Sequence, residues 1–336
     1  MDLDGLVCYA SDPAAPTAAY VCEQLGFPTN PYESVMILSN KDLFRRFLKE
    51  NHFCVPEAES YMDYDTLIND MDRFHFPVMV KPVDSSGSKG VNKITSVEQL
   101  EFAYKDAMQY SRCKRVIVEE FIEKKGYQVS GDGFSVNGEL KFRCFGNEYY
   151  SDNGIKEYVP LGECWPSVLS EEIQEKIHKE LQRLITALGM LTGAYNIEVI
   201  LDKDDNVYIL EMGARNGGSL IPQITKYATG VDLVEYTIKA ALGEDCSDIE
   251  IKPAVGFWSN YMVHSKVTGN LVEVQIADEI KDNFVEYQTD YKPGEKVQAF
   301  EHAGHALGTM VFKFDTEDEM FDKISRLTNL VEVVVQ

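Results

Sequence analysis

One predicted β-hairpin constrains this chain more than any other segment. In the stretch "NIEVILDKDDNVYILEMG", two apolar strands flank a polar turn at residues 203–206. Counting outward from that turn pairs Ile200 with Ile209 and sets Glu198 directly opposite Glu211. Residues paired in this way hold their Cβ atoms roughly 5 Å apart. The hairpin therefore predicts two carboxylates that face each other.

Two opposed carboxylates destabilise a sheet unless a shared proton, a nearby lysine or arginine, or a divalent metal ion compensates their charge. Their predicted neighbours on the same face, Ile200, Val207 and Ile209, are apolar, so the pair is not expected on open surface. The residues leave a second interpretation open. A register shifted by one position would keep the two acids apart.

The segment after Glu211 favours the metal. In "EMGARNGGS", Arg215 and Asn216 precede two glycines and a predicted helix. An arginine beside a helix N-terminus is typical of an anion site. Carboxylate oxygens suit Mg²⁺, which commonly bridges protein carboxylates to phosphate oxygens. The combination therefore indicates a magnesium nucleotide.

Charge and composition exclude several classes of protein. The 336 residues carry 32 basic against 55 acidic side chains, a net charge of −23. Binding to a nucleic-acid backbone depends on clustered lysine and arginine, so we expect no such partner. Seven widely spaced cysteines without a Cys-x-x-Cys pair predict reduced thiols in a cytoplasm. No apolar run approaches the length of a membrane span, so we expect no membrane partner.

Two lysines and a flexible backbone nevertheless gather in "VMVKPVDSSGSKGV". Lys81 ends an apolar strand, where it can reach phosphate oxygens. The loop after it offers successive backbone N–H groups to a phosphate chain. Taken alone, such a loop is usually only a turn. Its residues are Ser85, Ser86, Gly87, Ser88, Lys89 and Gly90.

The strand "VIVEEFI" ends in a segment that suits an adenine ring. Its backbone can pair with the edge of the ring, and its apolar side chains can cover the faces. Taken alone, it is an ordinary strand with a polar end. Its residues are Glu119, Glu120, Phe121 and Ile122.

The order of these motifs resembles the ATP-grasp superfamily. It is most similar to the branch containing biotin carboxylase, the halves of the carbamoyl-phosphate synthase large chain and, around Glu211 to Arg215, the bacterial L-amino acid ligases. The resemblance implies an α+β, ATP-grasp fold in which two α+β subdomains clasp ATP. It divides the chain into a truncated pre-ATP-grasp βα unit (1–38), the ATP-grasp domain (39–250) and a small strand-rich C-terminal region (251–336).

The resemblance also implies roles for individual residues. Lys41 and Lys81 would bind phosphates and adenine-side groups, and residues 85–90 would form a mobile lid. Glu119, Glu120 and Ile122, with Phe121 between them, would contact adenine. Glu198 and Glu211 would hold Mg²⁺ or Mn²⁺, with two ions expected, and Arg215 would steady the transferred phosphoryl group or the substrate carboxylate. In the expected mechanism, Lys89 joins Arg215 in stabilising the transferred group.

Two positions depart from the family pattern. Gly213 stands where many relatives have an asparagine that binds metal, and Asn216 is the substitute ligand we expect. Gln128 lies in a region where relatives often place an acid or a histidine near the ribose, so its role can differ.

Further expectations concern local structure. We expect a buried strand over Asp4–Asp12, a helix over Ser39–Pro56 capped by Ser39, and a polar loop over Gly146–Pro166. Histidines 302 and 305, in "HAGH", are expected in a turn rather than at a metal. Part of the polar loop is expected to line an acceptor pocket: Tyr149, Tyr150, Asp152, Lys156 and Tyr158.

The expected function is that of an ATP-dependent carboxylate–amine ligase acting on small molecules. A substrate carboxylate would become an acyl phosphate, an amine would capture it, and ADP and phosphate would be released. Two alternatives remain open: use of bicarbonate, as in carbamoyl-phosphate synthase or biotin carboxylase, and a regulatory module that binds ATP without turnover. Dimers are common among relatives, so a homodimer is also expected.

Overall fold

The computed structural model describes residues 3–150 and 158–336 and contains three sheets. Its α-helices are α1 Ala15–Leu25, α2 Tyr32–Ser39, α3 Lys41–Glu50, α4 Tyr64–Asn69, α5 Leu100–Tyr110, α6 Glu171–Ala187, α7 Ile221–Thr229, α8 Leu233–Leu242, α9 Glu317–Ser325 and α10 Leu327–Leu330. Its strands are β1 Ala58–Tyr61, β2 Val78–Pro82, β3 Asn92–Ile94, β4 Val116–Glu120, β5 Gln128–Val136, β6 Glu139–Tyr150, β7 Pro160–Trp165, β8 Gly193–Leu201, β9 Val207–Gly213, β10 Phe257–Val263, β11 Gly269–Ile276, β12 Phe284–Thr289, β13 Lys296–Val297, β14 Gly308–Phe314 and β15 Val331–Val335.

The N-terminal segment is not the predicted strand. Leu6 and Val7 are exposed, and the only strand-type pairing of the segment within the described residues is one isolated parallel bridge between Tyr9 and Asn216. A lone extended segment has no sheet partner to cover its apolar side chains. The helix predicted after it is confirmed, since α1 ends at Gly26 in the left-handed conformation.

The first subdomain is a four-stranded antiparallel sheet in the order β1-β4-β2-β3. Helix α5 packs on it, and the shared core includes Val78, Val80 and Val118. The central pair β2 and β4 places Met79 opposite Glu119. In this antiparallel register Lys81 pairs with Ile117, so Lys81 and Glu119 are diagonal neighbours on one face of the sheet and their side chains meet.

Helix α3 is strongly amphipathic and connects the two halves of the fold. It begins at Lys41, and Asn40 rather than Ser39 occupies the capping position, because Ser39 ends α2. Its buried face carries Phe44 and Leu48, with Arg45 beside them. A buried arginine on an apolar helix face requires a charged partner.

The second sheet has eight antiparallel strands in the order β12-β14-β10-β7-β6-β5-β8-β9. Strands β5 and β6 are joined at Asn137 and Gly138, both with positive φ, as the sequence predicts. The expected polar loop from Gly146 is wrong. Strand β6 continues to Tyr150, and β7 pairs with it from Pro160. Asn147, which the sequence predicts in the loop, is fully buried in the ladder.

The β8–β9 hairpin combines both registers considered from the sequence. Next to the turn, Val199 pairs with Ile209, one position away from the expected register. A β-bulge then places two residues of β9 opposite one of β8, and Glu198 pairs with Glu211 after all. The bulged residue is Leu210, whose carbonyl accepts a hydrogen bond from Arg45 Nη1 at 3.0 Å.

The C-terminal region does not separate at residue 250. Strands β10, β12 and β14 belong to the same sheet as β5–β9, while β11, β13 and β15 form a third, smaller sheet. The predicted boundary therefore cuts through one continuous sheet.

Helix α6, capped by Ser170, packs on the eight-stranded sheet through a face that includes the fully buried Ile177 and Leu181. Burying a side chain of this size contributes roughly 1.5–3 kcal/mol. Of the helices in the described residues, none combines the length and apolar character needed to cross a bilayer.

Candidate active site

A cavity of about 420 Å³ lies between the four-stranded and eight-stranded sheets. We call it the central cavity. Its size falls in the range of small-molecule sites. It is lined by Asp12, Lys41, Arg45, Met79, Lys81, Pro82, Ser85, Ser86, Gly87, Ser88, Lys89, Val91, Glu119, Glu120, Phe121, Ile122, Lys124, Gln128, Glu148, Tyr150, Tyr158, Pro160, Glu198, Ile200, Leu210, Glu211, Arg215 and Ala303.

The structure brings together most of the side chains that the sequence singled out. The predicted residues that line the central cavity are Lys41, Lys81, Ser85, Ser86, Gly87, Ser88, Lys89, Glu119, Glu120, Phe121, Ile122, Gln128, Glu198, Glu211 and Arg215. Gly90 and Asn216 do not line it.

Gly90 serves packing rather than ligand contact. A Cβ at this position would lie 2.9 Å from Tyr110 Cδ2 and 3.0 Å from Ala107 Cα. Its φ of 68° is also one that side chains rarely adopt. Gly90 lets the end of the loop pack tightly on α5.

Asn216 does not supply the substitute metal ligand that we expected. Its side chain is fully buried, and its Oδ1 accepts a hydrogen bond from the Thr237 hydroxyl at 2.9 Å. Its carbonyl accepts from Arg215 Nη1 at 3.1 Å. Asn216 therefore links Arg215 to α8 through these two hydrogen bonds.

Glu119 is the most strongly held acid of the site. It is 3% exposed, accepts from Arg45 Nε at 2.9 Å and forms an ion pair with Lys81. Burial alone would raise the pKa of Glu119, but Arg45 and Lys81 outweigh it and lower the pKa to about 2. This carboxylate stays ionised and fixes both cations at the cavity wall. Sequence reasoning missed Arg45, although a charge on the apolar face of α3 was a signal.

The segment after β4 forms another part of the wall. The Glu120 carboxylate accepts from the His75 backbone N–H at 3.0 Å, which fixes the end of the strand. The ring of Phe121 has the Lys93 ammonium 3.9 Å from its centroid and lies edge-on to Tyr158. Phe121 and Ile122 give this wall the apolar character that a flat ring requires.

Lys41 contacts both the loop 85–90 and the β8–β9 hairpin. Its ammonium lies 3.3 Å from Glu211 Oε2 and donates to the Ser85 carbonyl at 3.0 Å. Burial would lower the pKa of Lys41, but the charges of Glu211 and Asp12 raise it. Lys41 is therefore a cation at the point where loop and hairpin meet.

The loop also touches the C-terminal region. The Ala303 N–H donates to the Gly87 carbonyl at 3.2 Å, and Ala303 lines the central cavity. Residues 303–305 form a short 3₁₀ turn, so the predicted turn at "HAGH" is confirmed. Burial, together with the charges of His305 and Lys89, lowers the pKa of His302.

Glu198 and Glu211 face the cavity across the hairpin. Gln128 Nε2 donates to Glu198 Oε2 at 3.2 Å. Burial, followed by the charges of Glu148 and Glu211, raises the pKa of Glu198 well above its usual value. The two opposed carboxylates repel each other when both are ionised, and a divalent cation such as Mg²⁺, which prefers hard oxygen donors, would relieve that repulsion. The described residues hold no ready cluster of three or more metal-binding side chains, so other oxygen atoms would have to come from the ligand.

Sequence reasoning missed two further acids. Glu148 lines the cavity next to Tyr150, whose hydroxyl donates to it, and it pairs in register with Glu163 on β7. Burial and the charge of Glu163 raise the pKa of Glu148, and burial with the charge of Asp132 raises the pKa of Glu163. Both lie on strands β6 and β7, within the segment for which the sequence predicts a loop.

The glycine-rich turn after β9 is not open to an external anion. The Gly217 N–H donates to both carboxylate oxygens of Asp132, at 2.9 and 3.0 Å. Burial raises the pKa of Asp132 to about 7, although those bonds, Arg215 and Asn196 oppose the shift. Asp132 thus binds the first N–H of the glycine-rich turn, ahead of α7, and Arg215 is the anion-binding group that lines the cavity.

Arg215 is 9% exposed at its side chain and is held by Asp12. Its Nε donates to Asp12 Oδ1 at 2.8 Å and its Nη2 to Asp12 Oδ2 at 2.7 Å. Burial would lower the pKa of Arg215, but Asp12 raises it. Nothing in the sequence pointed to Asp12, which lies in the segment before α1.

Of the expected acceptor-pocket residues, Tyr150 and Tyr158 line the central cavity. Tyr149 does not, because it is buried and its hydroxyl donates to the Asn260 carbonyl at 2.5 Å. Asp152 and Lys156 lie outside the described residues.

The family model for the D-ala D-ala ligase C-terminus matches residues 50–235, more than half of the chain. The chain belongs to this ATP-grasp family. The predicted α+β, ATP-grasp fold is confirmed.

Solved structures agree with the ATP-grasp fold over nearly the whole chain. The L-amino acid ligase from Bacillus licheniformis superposes with a TM-score of 0.81 at 23% identity, covering 99% of this chain and 81% of that one. The biotin carboxylase domain of Hydrogenobacter thermophilus 2-oxoglutarate carboxylase, solved with MgADP, ADP and bicarbonate, gives 0.73 at 16% identity, covering 96% and 73%.

A curated relative of this ATP-grasp chain is the carbamoyl phosphate synthase large chain of Pseudothermotoga lettingae. The two are 26% identical over 208 residues, which is 62% of this chain and 18% of that protein. The chain thus spans about a fifth of the length of the curated relatives it matches.

Proposed function

We propose that the protein is an ATP-dependent ligase that joins a small carboxylate to a small amine. A carboxylate oxygen attacks the γ-phosphorus of ATP, the bond to the β–γ bridging oxygen breaks, and ADP leaves with that electron pair. The amine nitrogen then attacks the carbonyl carbon of the acyl phosphate. It loses a proton, and phosphate leaves, which gives an amide.

One observation carries the proposal: Glu198 and Glu211 oppose each other at a cavity that Lys41 and Arg215 also line. Phosphoryl transfer requires compensated charge around the transferred group more than it requires a covalent group of the enzyme. The opposed carboxylates would hold Mg²⁺, which would neutralise charge on the phosphate oxygens. The lysine and the arginine supply fixed positive charge on either side.

The remaining residues have roles that follow from their positions. Lys81, fixed by Glu119, contacts phosphate oxygens, and Phe121 with Ile122 covers the adenine ring. Lys89, on the loop 85–90, supplies a further positive charge. The same loop, held by Lys41 and Ala303, keeps water from the acyl phosphate.

The test measures ADP release from MgATP with hydroxylamine present, over separate pools of amino acids, other small carboxylic acids, and bicarbonate. We expect carboxylate-dependent ADP together with a hydroxamate. Both should be lost in Glu211→Gln and kept in Glu172→Gln, a control on the exposed face of α6.

Two results would contradict the proposal. ADP release that depends on bicarbonate alone would assign the carbamoyl-phosphate synthase type of reaction. Binding of ATP with no turnover in any pool would indicate a regulatory module.

A further inference from the structure

The contact between Asp12 and Arg215 leaves a defined part of the guanidinium group unused. Arginine has five N–H donors. Asp12 takes one on Nε and one on Nη2, and the Asn216 carbonyl takes one on Nη1. Within the described residues one N–H on each Nη has no hydrogen-bond acceptor, and each can donate to an oxygen of a carboxylate or a phosphate.

Gly213 is required by this contact. A Cβ at position 213 would lie 2.6 Å from Asp12 Oδ1 and 3.2 Å from the Cζ atom of Arg215. The first distance is shorter than atoms can tolerate, and the obstacle is a carboxylate already fixed by two hydrogen bonds. Any side chain at this position would therefore displace Asp12. The departure of Gly213 from the family pattern has a steric reason in this chain.

The backbone around Asp12 is also fixed independently of the ion pair. Tyr9 forms a parallel bridge with Asn216, the residue next to Arg215. The Asp12 carbonyl accepts from the Ala15 N–H at 3.3 Å, at the start of α1. The N-terminal segment thus presents Asp12 to Arg215 from a defined position.

We propose that Asp12 is a positioning residue for Arg215, and that Gly213 provides the space it needs. Asp12 holds the guanidinium group so that its free Nη1 and Nη2 hydrogens meet an anion in the central cavity. The inference rests on the proposed function, because the anion there would be the substrate carboxylate or the transferred phosphoryl group. Asp12 acts on that anion through Arg215.

The first test uses inorganic phosphate as the probe, bound to the protein in the presence of MgADP and measured by calorimetry. We compare the wild type with Asp12→Asn, which keeps the size of the side chain and removes its charge. We expect roughly a 10- to 100-fold loss of phosphate affinity with less than about a threefold change for MgADP. Equal phosphate affinity in both proteins, or none in the wild type, would overturn the proposal.

The second test is a double-mutant cycle between positions 12 and 213, read by thermal unfolding. Gly213→Ala should lower Tm by several degrees in the wild type, because its Cβ meets Asp12 Oδ1. In an Asp12→Ala background the obstacle is gone, and the same change should lower Tm by less than half as much. Equal losses in the two backgrounds would show that Gly213 is not there for Asp12.

Turnover separates this inference from the proposed function. Where the wild type shows carboxylate-dependent ADP release, Asp12→Asn should raise the KM of the carboxylate if Arg215 binds the carboxylate, or lower kcat if it binds the transferred phosphoryl group. The KM of ATP should stay nearly unchanged in both cases. Turnover unaffected by Asp12→Asn would refute the positioning role and leave the ligase intact. Phosphate affinity that depends on Asp12, without turnover in any substrate pool, would support the positioning role and refute the ligase.

Discussion

Glu198 and Glu211 stand opposite each other because one residue between them and the turn is bulged out of the ladder. Without the bulge at Leu210, the register found beside the turn would carry through and the two acids would not meet. The bulged carbonyl accepts a hydrogen bond from Arg45, which also holds Glu119. Arg45 thus links the hairpin that carries the opposed carboxylates to Glu119 and, through Glu119, to Lys81 on β2.

Glu119→Gln should destabilise the fold strongly. The change leaves Arg45 and Lys81 buried without their counter-ion, which typically costs about 3–5 kcal/mol in the free energy of unfolding. Urea unfolding measures the loss. Glu120→Gln, a neighbouring acid whose side chain is 29% exposed, is the matched control and should cost less than about 1 kcal/mol. Equal losses at the two positions would contradict the central role of Glu119.

Asp132 should make stability fall as the solution becomes less acidic. Its pKa is about 7 in the folded protein and about 4 in the unfolded chain, so the folded state binds more protons between those values. The stabilisation of the fold by the protonated Asp132 carboxyl is fully present below about pH 4 and is lost as the pH rises to about 7. Above that pH the stability no longer changes through this group. Relative to Asp132→Asn, the wild type should lose of the order of 4 kcal/mol over that range.

Unfolding by urea at a series of pH values between 4 and 8 gives this comparison directly. Parallel curves for the wild type and Asp132→Asn would show that the buried carboxyl is already ionised throughout.

Gly90→Ala should disturb the loop by steric conflict as well as by backbone strain. Its Cβ would meet Tyr110 and Ala107, whereas a Cβ at Gly126, which has a similar φ of 73°, would meet nothing within 4 Å. We expect Gly126→Ala to cost about 1–2 kcal/mol for the left-handed backbone, and Gly90→Ala to cost about 1–3 kcal/mol more. Indistinguishable unfolding energies for the two variants would show that the loop end is not packed on α5.

Ala303→Pro should loosen the loop over the central cavity. Proline removes the N–H that donates to Gly87, whereas Ala303→Gly keeps it. The rate of limited trypsin cleavage at Lys89, with and without MgATP, measures how firmly the loop is held. This assay does not require the substrate to be known. We expect faster cleavage in the proline variant alone. Equal cleavage in both variants would mean that this hydrogen bond does not restrain the loop.

The sequence predicted the hairpins and helices because their signals are local. Asn137 and Gly138 specify a tight turn, Gly26 ends α1, and Ser170 begins α6. Residues near one another in sequence fix these features, so the pattern of side chains is enough to predict them.

What the sequence could not predict depends on partners far along the chain. The bulge at Leu210 is fixed by Arg45 of α3, and Arg215 by Asp12 of the N-terminal segment. The end of β6 reads as a polar loop, because Asn147 and Glu148 become buried only when β7 pairs with them. Asn216 failed as a ligand for the same reason, since Thr237 of α8 already binds its side-chain oxygen.

The central claim, that a carboxylate is activated by phosphoryl transfer at this cavity, can be tested by following one oxygen atom. The carboxylate substrate found in the ADP-release assay is labelled with ¹⁸O, and the phosphate released during amide formation is analysed by mass spectrometry. Attack of the carboxylate on the γ-phosphorus predicts one ¹⁸O in every phosphate released, and no phosphate from Glu211→Gln. Phosphate without label would contradict an acyl phosphate and refute the proposed role of the central cavity.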